Sequence, residues 1–345
     1  MSYHFQARPA QERAFLQSVV YAALFDYPLT LQQLRETLIG EVADERALLD
    51  WYEHSDYLQA TIDFSDGYFY PRGRRNLLDT RAVRERTSRN LLRQLSAPLS
   101  CITRLPFVRM VAVSGSLAHL NADGHADLDL FVVTSPRRVW TVTVTTLLLA
   151  RLLGWRRQLC LNYVVSERTL WVAPADLFSA NQIVHLQPVL GEETYRRFLD
   201  ANRFVERFYP NFTPRELRTA HVNAWGRRFL TILETSLNWT VAPLFEWICR
   251  IVYRTHLRNR AHTWTSHDQV RLEPECLKLH TCSHRHEVME RFERAFEAAA
   301  SCGENARREE SSPLPAYLLS PTRRRRTARP ASGNRLRPGR APHRS

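Results

Sequence analysis

The chain has 345 residues, of which 44% are hydrophobic, and it carries a formal net charge of +13. This length allows two or three domains, and the apolar content is sufficient for buried cores, so a wholly disordered or fibrous protein is excluded. Nine arginines and no acid lie in the last 23 residues, so the rest of the chain is only mildly basic. The overall charge is therefore weak evidence for nucleic-acid binding.

The six cysteines are scattered, and no stretch combines the charged start, apolar middle and small-residue cleavage site of a secretory signal. We therefore expect a cytoplasmic protein with reduced thiols. The two most apolar segments, 139–155 and 229–253, are interrupted by charged residues. Neither has the roughly 20 uninterrupted apolar residues of a membrane span, so buried or amphipathic helices are favoured. Peripheral membrane association through 229–253 and the arginine-rich tail stays open.

Residues 1–75 are predicted to form a winged-helix-like unit. Apolar spacing over 11–25 and capping residues before 31–38 and 45–54 indicate three helices. Alternating apolar residues on either side of the turn at 65–67 then indicate a β-hairpin. This order is typical of DNA-binding winged helices, but the third helix is acidic and would repel phosphate. A packing or protein-contact role is favoured, and DNA contact is left open.

A mixed α/β domain is predicted over 76–175. A basic amphipathic helix that ends at Pro98 leads into it, and a strand, a turn, a second strand, a helix and a third strand follow. The three strands are predicted at 107–113, 127–133 and 158–165, and the helix between the second and third strands is predicted at 137–153.

Residues 176–305 are predicted to be a helical region, and residues 306–345, rich in proline and arginine, a disordered tail. The predicted helices span 177–186, 192–202, 215–257 with a break near Pro243, and 286–300. The crowded stretch CLKLHTCSHRH at 276–286 lacks the spacing of a zinc site. The start of a helix with exposed histidines is therefore favoured there.

The most informative stretch is VSGSLAHLNADGHADLDLFVV, residues 113–133. Residues two apart on a strand point to the same face, so Asp127 and Asp129 should project together, roughly 6–7 Å apart. Two adjacent carboxylates repel each other and cost desolvation unless a cation lies between them. Mg²⁺ prefers such oxygen ligands and keeps its other positions for water and phosphate. The pair therefore predicts a metal site suited to in-line phosphoryl transfer.

Gly115 and Ser116 supply the other half of the predicted site. A glycine at the end of a strand permits a tight turn and the close approach of an anionic ligand. Ser116 is predicted to begin a short helix whose free N–H groups point at that ligand. A phosphate-binding turn and a metal-binding strand would then face one cleft.

Gly115-Ser116, followed after ten residues by Asp127-Leu128-Asp129-Leu130, resembles the signature of the polymerase-β-type nucleotidyltransferase superfamily. The resemblance covers about residues 106–165 and is strongest to a bacterial branch in which a helical region follows. It implies an α/β (α+β) mixed-sheet fold and Mg²⁺-dependent transfer of a nucleoside monophosphate from a nucleoside triphosphate to an acceptor hydroxyl, with release of pyrophosphate. It further implies that Asp127 and Asp129 are catalytic Mg²⁺ ligands and that Gly115 and Ser116 bind the nucleotide. The acceptor would be a small molecule or a protein side chain.

The superfamily's usual third carboxylate is missing from its expected strand, QLCLNYVVSE. Asn162 stands in that third position, and Glu167 near the end of the strand is a candidate substitute. An amide oxygen can ligate a metal but cannot take a proton near neutral pH. An alternative therefore stays open: a weakly active or inactive protein of this fold that binds or regulates, using the N-terminal unit for protein or DNA contact.

Four basic residues near the motif are less informative. His119 and His125 lie between its two halves and, as loop histidines, are expected to be solvated. Arg137 and Arg138 follow the aspartate strand, and they either face the triphosphate or only open the next helix.

Overall fold

The computed structural model describes residues 9–124, 126–217, 224–267, 270–279 and 284–306. Within these residues the protein is a mixed α+β structure with one small antiparallel sheet and one larger mixed sheet. In the same part of the chain, no helix is long and apolar enough to cross a membrane.

The N-terminal part contains four helices and a three-stranded antiparallel sheet of order β1-β3-β2. Its helices and strands are α1 (Ala10–Ala23), β1 (Leu29–Thr30), α2 (Leu31–Glu36), α3 (Glu45–Glu53), α4 (Asp56–Thr61), β2 (Ile62–Ser65) and β3 (Tyr68–Pro71). Thr30 and Asp44 cap α2 and α3 through side-chain oxygens, as predicted. Asp66 and Gly67 both have positive φ, which the tight turn of a hairpin requires. The three predicted helices and the hairpin are confirmed, and α4 is an additional helix.

Two helices, α5 (Asn76–Gln94) and α6 (Ser96–Ile102), connect this part to the larger sheet. The prediction of one helix ended by Pro98 is wrong, because the break is at Leu95 and Pro98 lies inside α6. A proline is tolerated in the first turn of a helix, where its missing N–H has no intrahelical partner. Arg81 of α5 donates to Gln33 Oε1 at 3.0 Å and covers the ring of Tyr27, which fixes α5 against the N-terminal part.

The larger sheet has the order β7-β4-β5-β6-β9-β8. β5 and β6 are parallel and are joined through the crossover helix α8, while every other neighbouring pair is antiparallel. The elements of its first half are β4 (Val108–Ser114), α7 (Gly115–Ala118), β5 (Leu128–Thr134), α8 (Val139–Leu152) and β6 (Leu159–Ser166). The predicted order of three strands and a helix is confirmed, with bounds that differ by one or two residues.

The remaining chain is not purely helical, so that prediction for 176–305 is wrong. Its elements are α9 (Leu177–Val184), β7 (Gln187–Leu190), α10 (Glu192–Ala201), α11 (Val205–Phe208), α12 (Ala224–Trp239), α13 (Ala242–Arg258), a 3₁₀ turn (Ala261–Thr263), β8 (Val270–Glu273), β9 (Cys276–Leu279) and α14 (Arg285–Ala306). The three strands extend both edges of the larger sheet. The start of the cysteine- and histidine-rich stretch is thus a strand, while residues 280–283 and the tail from 307 onward lie outside the described residues.

Two hydrophobic cores lie on opposite faces of the larger sheet. On one face, Leu128, Leu130 and Val132 of β5 join a core with residues of α6, α8 and α13. On the other face, Phe131 and Val133 join a core with the N-terminal helices, α9, α10 and α14. Because side chains alternate along a strand, Asp129 belongs to the face that the N-terminal part covers.

Candidate metal and nucleotide site

The two halves of the motif meet at the beginning of β5. Asp129 is the second residue of this strand, and Asp127 directly precedes the strand; both are half-buried. Asp129 lies opposite Ser114, the last residue of β4, on one side and opposite Cys160 of β6 on the other. Because Gly115 directly follows Ser114, the register of the sheet brings the glycine turn to the aspartate.

Gly115 packs directly against the carboxylate of Asp129. Its φ is +66°, in the left-handed region that favours glycine. A Cβ atom built at this position would overlap Oδ2 of Asp129 and lie 3.1 Å from its Cγ. The short predicted helix is present as α7, and it begins at Gly115, one residue before Ser116. Only glycine therefore fits between the end of β4 and this carboxylate.

Hydrogen bonds to other elements hold the loop after α7. Asn121 Nδ2 donates to the carbonyl of Phe25 at 2.7 Å, and the N–H of Ala122 donates to Ser88 Oγ at 2.9 Å. The loop that joins the glycine turn to the aspartates is thereby tied to α5 and to the end of the N-terminal helix.

Cys160 is a neighbour of the aspartates that sequence reasoning missed. Its thiol donates a hydrogen bond to the Asp129 carboxylate. Burial, followed by the negative charges of Asp129 and Asp127, raises the pKa of this thiol to about 12. The thiol is thus protonated at neutral pH. It donates a hydrogen bond that holds Asp129, and it does not act as a nucleophile. Both carboxylates therefore lie near the same thiol.

Asn162 does not lie opposite Asp129. It is the extra residue of a bulge in β6, since Leu130 pairs with Leu161 and Phe131 pairs with Tyr163. Bulges of this kind are frequent beside functional sites because they interrupt the regular ladder. The position directly across from Asp129 is occupied by Cys160, two residues earlier in the strand.

Glu167 cannot replace the missing carboxylate. Its N–H donates to the carbonyl of Thr134, so it lies at the carboxyl ends of β5 and β6. Asp129 lies near the other end of β5, five residues before Thr134, and this separation corresponds to about 17 Å along the strand. The Glu167 carboxylate is instead paired with Arg197 at 3.1 Å and Arg109 at 3.8 Å. The interpretation of Glu167 as a substitute ligand is therefore wrong.

We expect Glu167→Gln to leave Mg²⁺-dependent nucleotide binding within about twofold of the wild-type value. Its ion pairs are partly exposed, so their loss should lower the free energy of unfolding by no more than about 1 kcal/mol. Titration with a nucleoside triphosphate and urea unfolding of the same protein measure the two quantities. A loss of nucleotide affinity above tenfold would contradict the position assigned to Glu167.

Arg137 and Arg138 also lie at this far end and open α8. Arg138 precedes the first residue of α8, donates through Nε to Asn238 Oδ1 at 3.1 Å and covers the ring of Phe107. The N–H of Arg137 donates to Glu275 Oε2 at 3.0 Å. The interpretation that these arginines only open the next helix is confirmed, because neither arginine faces the glycine turn.

A cavity of about 160 Å³ adjoins the glycine turn and separates it from α1 and α9. Among the described residues, no Asp, Glu, Lys or Arg side chain lines it, and the buried Tyr21 hydroxyl in its wall has no hydrogen-bond partner. The cavity therefore offers neutral hydrogen-bonding groups beside Gly115 and Ser116. Its polar lining residues are Ser18, Tyr21, Tyr27, Thr37, Ser116, His119, Asn121, Asn181, Gln182, His185 and Tyr209.

His119 and His185 form a stacked pair in the wall of this cavity. Their ring centroids are 3.9 Å apart, and His185 Nδ1 lies 2.8 Å from the carbonyl of Asn181. Burial lowers the pKa of His119 well below its ordinary value, and it lowers the pKa of His185 to about 4. Both rings are therefore neutral at pH 7. The expectation that His119 is solvated is wrong, and His125 lies outside the described residues.

The free energy of unfolding should fall by about 2 kcal/mol from pH 7.5 to pH 4.5 through His185 alone. Its pKa is lower in the folded protein than the value of about 6.5 in the unfolded chain. The unfolded state therefore takes up the proton first, and stability present above pH 6.5 is lost as the pH falls towards 4. Urea unfolding at both pH values tests this. The His185→Gln variant should show a smaller loss, and equal losses in both proteins would contradict the assignment.

The donor set at the aspartates is compatible with Mg²⁺. Two half-buried carboxylates supply hard oxygen ligands, and Mg²⁺ commonly takes one or two carboxylates and completes its shell with water and phosphate. Within the described part of the chain, no group of three or more His, Cys, Asp or Glu side chains could hold a metal ion. Asp127 and Asp129 are thus the residues that would hold it, without a third protein carboxylate.

No protein-family model matches the chain, and comparisons with curated proteins and with solved structures also find no match. The interpretation of the site therefore depends on its residues and their geometry.

Proposed function

We propose that the protein is a Mg²⁺-dependent nucleotidyltransferase of the polymerase-β type. It would transfer a nucleoside monophosphate from a nucleoside triphosphate to an acceptor hydroxyl and release pyrophosphate. One observation carries the proposal: Gly115 and Asp129 are in contact, so the turn suited to phosphate and the carboxylates suited to metal form one site. The parallel β5–β6 pair with its crossover helix and the antiparallel β4–β5 pair are compatible with the mixed sheet of that superfamily.

Each site residue has a distinct role in this proposal. Asp127 and Asp129 hold Mg²⁺, which when bound offsets the negative charge of the phosphoryl oxygens. The backbone at Gly115 and Ser116 receives the triphosphate, and the absence of a Cβ at Gly115 lets the Asp129 carboxylate lie directly beside this turn. Cys160, as a neutral thiol donor, keeps Asp129 in one orientation. The acceptor oxygen bonds to the α-phosphorus while the bond to pyrophosphate breaks, and the hydroxyl proton is released to solvent water.

The cavity beside the glycine turn is the proposed route of the acceptor. It is lined by Gly115 and Ser116 on one side and by apolar and neutral polar side chains on the others. The neutral His119 and His185 rings place no charge in it. Unpaired charges are costly in such surroundings, so the cavity favours an uncharged, hydroxyl-bearing part of the acceptor.

A thermal-shift comparison of the four ribonucleoside triphosphates, with and without Mg²⁺, tests the proposal. At a ligand concentration of one hundred times Kd, binding stabilises the folded state by about 2.7 kcal/mol. We expect at least one triphosphate to raise the melting temperature only when Mg²⁺ is present. No Mg²⁺-dependent shift with any of the four would contradict the proposed site.

A second candidate function is a binding or regulatory protein of the same fold with little or no turnover. It is favoured by one observation, the absence of a third metal-binding carboxylate among the described residues. In this candidate the N-terminal unit, which we propose to be a winged helix, contacts a protein or DNA. Nucleotide binding without pyrophosphate release would favour this second function over the first.

A further inference from the structure

The outer surface of α12 and α13, which we call the hairpin face, is exposed and largely apolar. Trp239 is 87% exposed, Leu244 60% and Trp247 54%. Exposed large apolar residues concentrated on one pair of helices mark a surface that contacts a partner or a membrane. The exposed hydrophobic residues of the hairpin face are Phe229, Ile232, Trp239, Val241, Leu244, Phe245, Trp247, Ile248, Ile251 and Val252.

The two acidic residues of the segment 224–260 point away from the hairpin face. Glu234 of α12 is bound by the side chain of Arg109. Glu246 of α13 accepts the N–H of Thr141 at 2.7 Å and the N–H of Trp140 at 3.1 Å, and so caps the start of α8. These contacts fix the orientation of both helices and turn their remaining surface outward.

The described side chains of segment 224–260 therefore give the hairpin face positive charge and no negative charge. Arg228, Arg258 and Arg260 are exposed at its two ends, and Arg250 and Arg254 are half-buried within α13. Arginines beside an apolar helix face attract anionic lipid headgroups, at about 1 kcal/mol for each residue near the surface. Trp239 and Trp247 suit the boundary between headgroups and acyl chains, because an indole is apolar with one polar N–H.

We propose that the hairpin face docks on an anionic phospholipid bilayer, with α12 and α13 lying in the plane of its surface. Neither helix could cross the membrane, and the exposed apolar side of α13 matches an interfacial helix. A second copy of the chain fits less well, because two copies of this face would bring like charges together. The buried side of α13, with Ala242 and Cys249, packs in the core on the side of the sheet opposite Asp129, so docking of the exposed face leaves the nucleotide site accessible.

Vesicle flotation of the full-length chain at about 0.15 M salt tests the proposal. Phosphatidylcholine vesicles with about one third phosphatidylglycerol should carry the protein upward, and pure phosphatidylcholine vesicles should carry much less of it. Leu244→Glu combined with Ile248→Glu places two acids on exposed positions, so the fold should be kept while partitioning falls about tenfold or more. Val83→Glu on α5 is the matched control, because Val83 is 61% exposed; it should float like the wild type.

Three outcomes would overturn the proposal. Equal flotation of the wild type and the double variant would assign binding to another part of the chain, such as the arginine-rich tail, which is identical in both proteins. Failure of the wild type to float on anionic vesicles would exclude the bilayer. A wild-type dimer in light scattering that the double variant dissociates, with neither protein floating, would identify the hairpin face as a self-association surface. None of these results bears on nucleotide binding, so the proposed function is tested separately.

Discussion

Replacing Asp127 and Asp129 together by asparagine should abolish the Mg²⁺-dependent gain in melting temperature that a nucleoside triphosphate produces. Asparagine keeps the size and one oxygen of each side chain, but the site loses the two negative charges that attract the cation. If the protein turns over nucleotides, we expect a rate loss on the order of 10³-fold, the scale typical of removing a preorganised electrostatic group. Thermal shift and pyrophosphate release measure the two effects.

Stability is the internal control for this double variant. The two carboxylates lie close together and repel each other in the absence of metal, so neutralising them should not lower the free energy of unfolding by more than about 1 kcal/mol. Glu167→Gln, which removes a carboxylate at the opposite end of the same sheet, should keep the nucleotide response. Loss of the response in both variants would point to a general effect on the fold rather than to a metal site.

Gly115→Ala should remove most nucleotide binding while leaving the fold intact. The added methyl group would overlap Oδ2 of Asp129, so either the carboxylate or the turn must move. In addition, an alanine at φ of +66° costs about 1 kcal/mol relative to glycine. Since metal ligands must be placed within a few tenths of an ångström, we expect at least a tenfold loss of Mg²⁺-dependent affinity. Titration calorimetry with the triphosphate identified by thermal shift measures it.

Gly154→Ala separates the backbone strain that Gly115→Ala causes from the overlap of the added methyl group with Asp129. Gly154 has a φ of +76°, and a Cβ built there has no neighbour within 4 Å. It therefore carries a similar backbone cost without touching the site. We expect both alanine variants to lose about 1 kcal/mol of stability from backbone strain, and only Gly115→Ala to lose nucleotide affinity. Equal nucleotide affinities in the two variants would show that the contact between Gly115 and Asp129 is not needed for nucleotide binding.

The strands around the motif could be predicted because their signals are local. β4, β5 and β6 are apolar runs of seven or eight residues, and α8 follows at helical spacing. Gly115 at the end of one strand and the two aspartates at the start of the next are also visible in sequence. That these lie on neighbouring strands follows from the short connection between them.

Three strands were missed because their signals are not local. β7, β8 and β9 have four residues each, which is too short for a clear alternation. β7 contains Pro188, which argues against a central strand and is acceptable only because β7 is at the edge of the sheet. β9 pairs with β6 across more than a hundred residues of chain. Their place in the sheet depends on tertiary pairing that no sequence window contains.

The details of the site depend on register and direction. Glu167 is close to Asn162 in sequence, but β5 and β6 are parallel, so it leaves the sheet at the end away from Asp129. The bulge at Asn162 shifts the pairing, and Cys160 becomes the residue across from Asp129. The stack of His119 on His185 joins two segments that are far apart in the sequence, so it too depends on the tertiary structure. Local patterns could identify the aspartates and the glycine, but not the groups that surround them.

The most direct test of the central claim is the release of pyrophosphate by the full-length protein. The assay contains Mg²⁺, one ribonucleoside triphosphate at a time and a panel of uncharged hydroxyl compounds, and the Asp127→Asn/Asp129→Asn protein is run in parallel. We predict Mg²⁺-dependent release above the background of the variant with at least one triphosphate. Equal, background release from both proteins, together with no Mg²⁺-dependent nucleotide binding by the wild type, would contradict the assignment of a nucleotidyltransferase site.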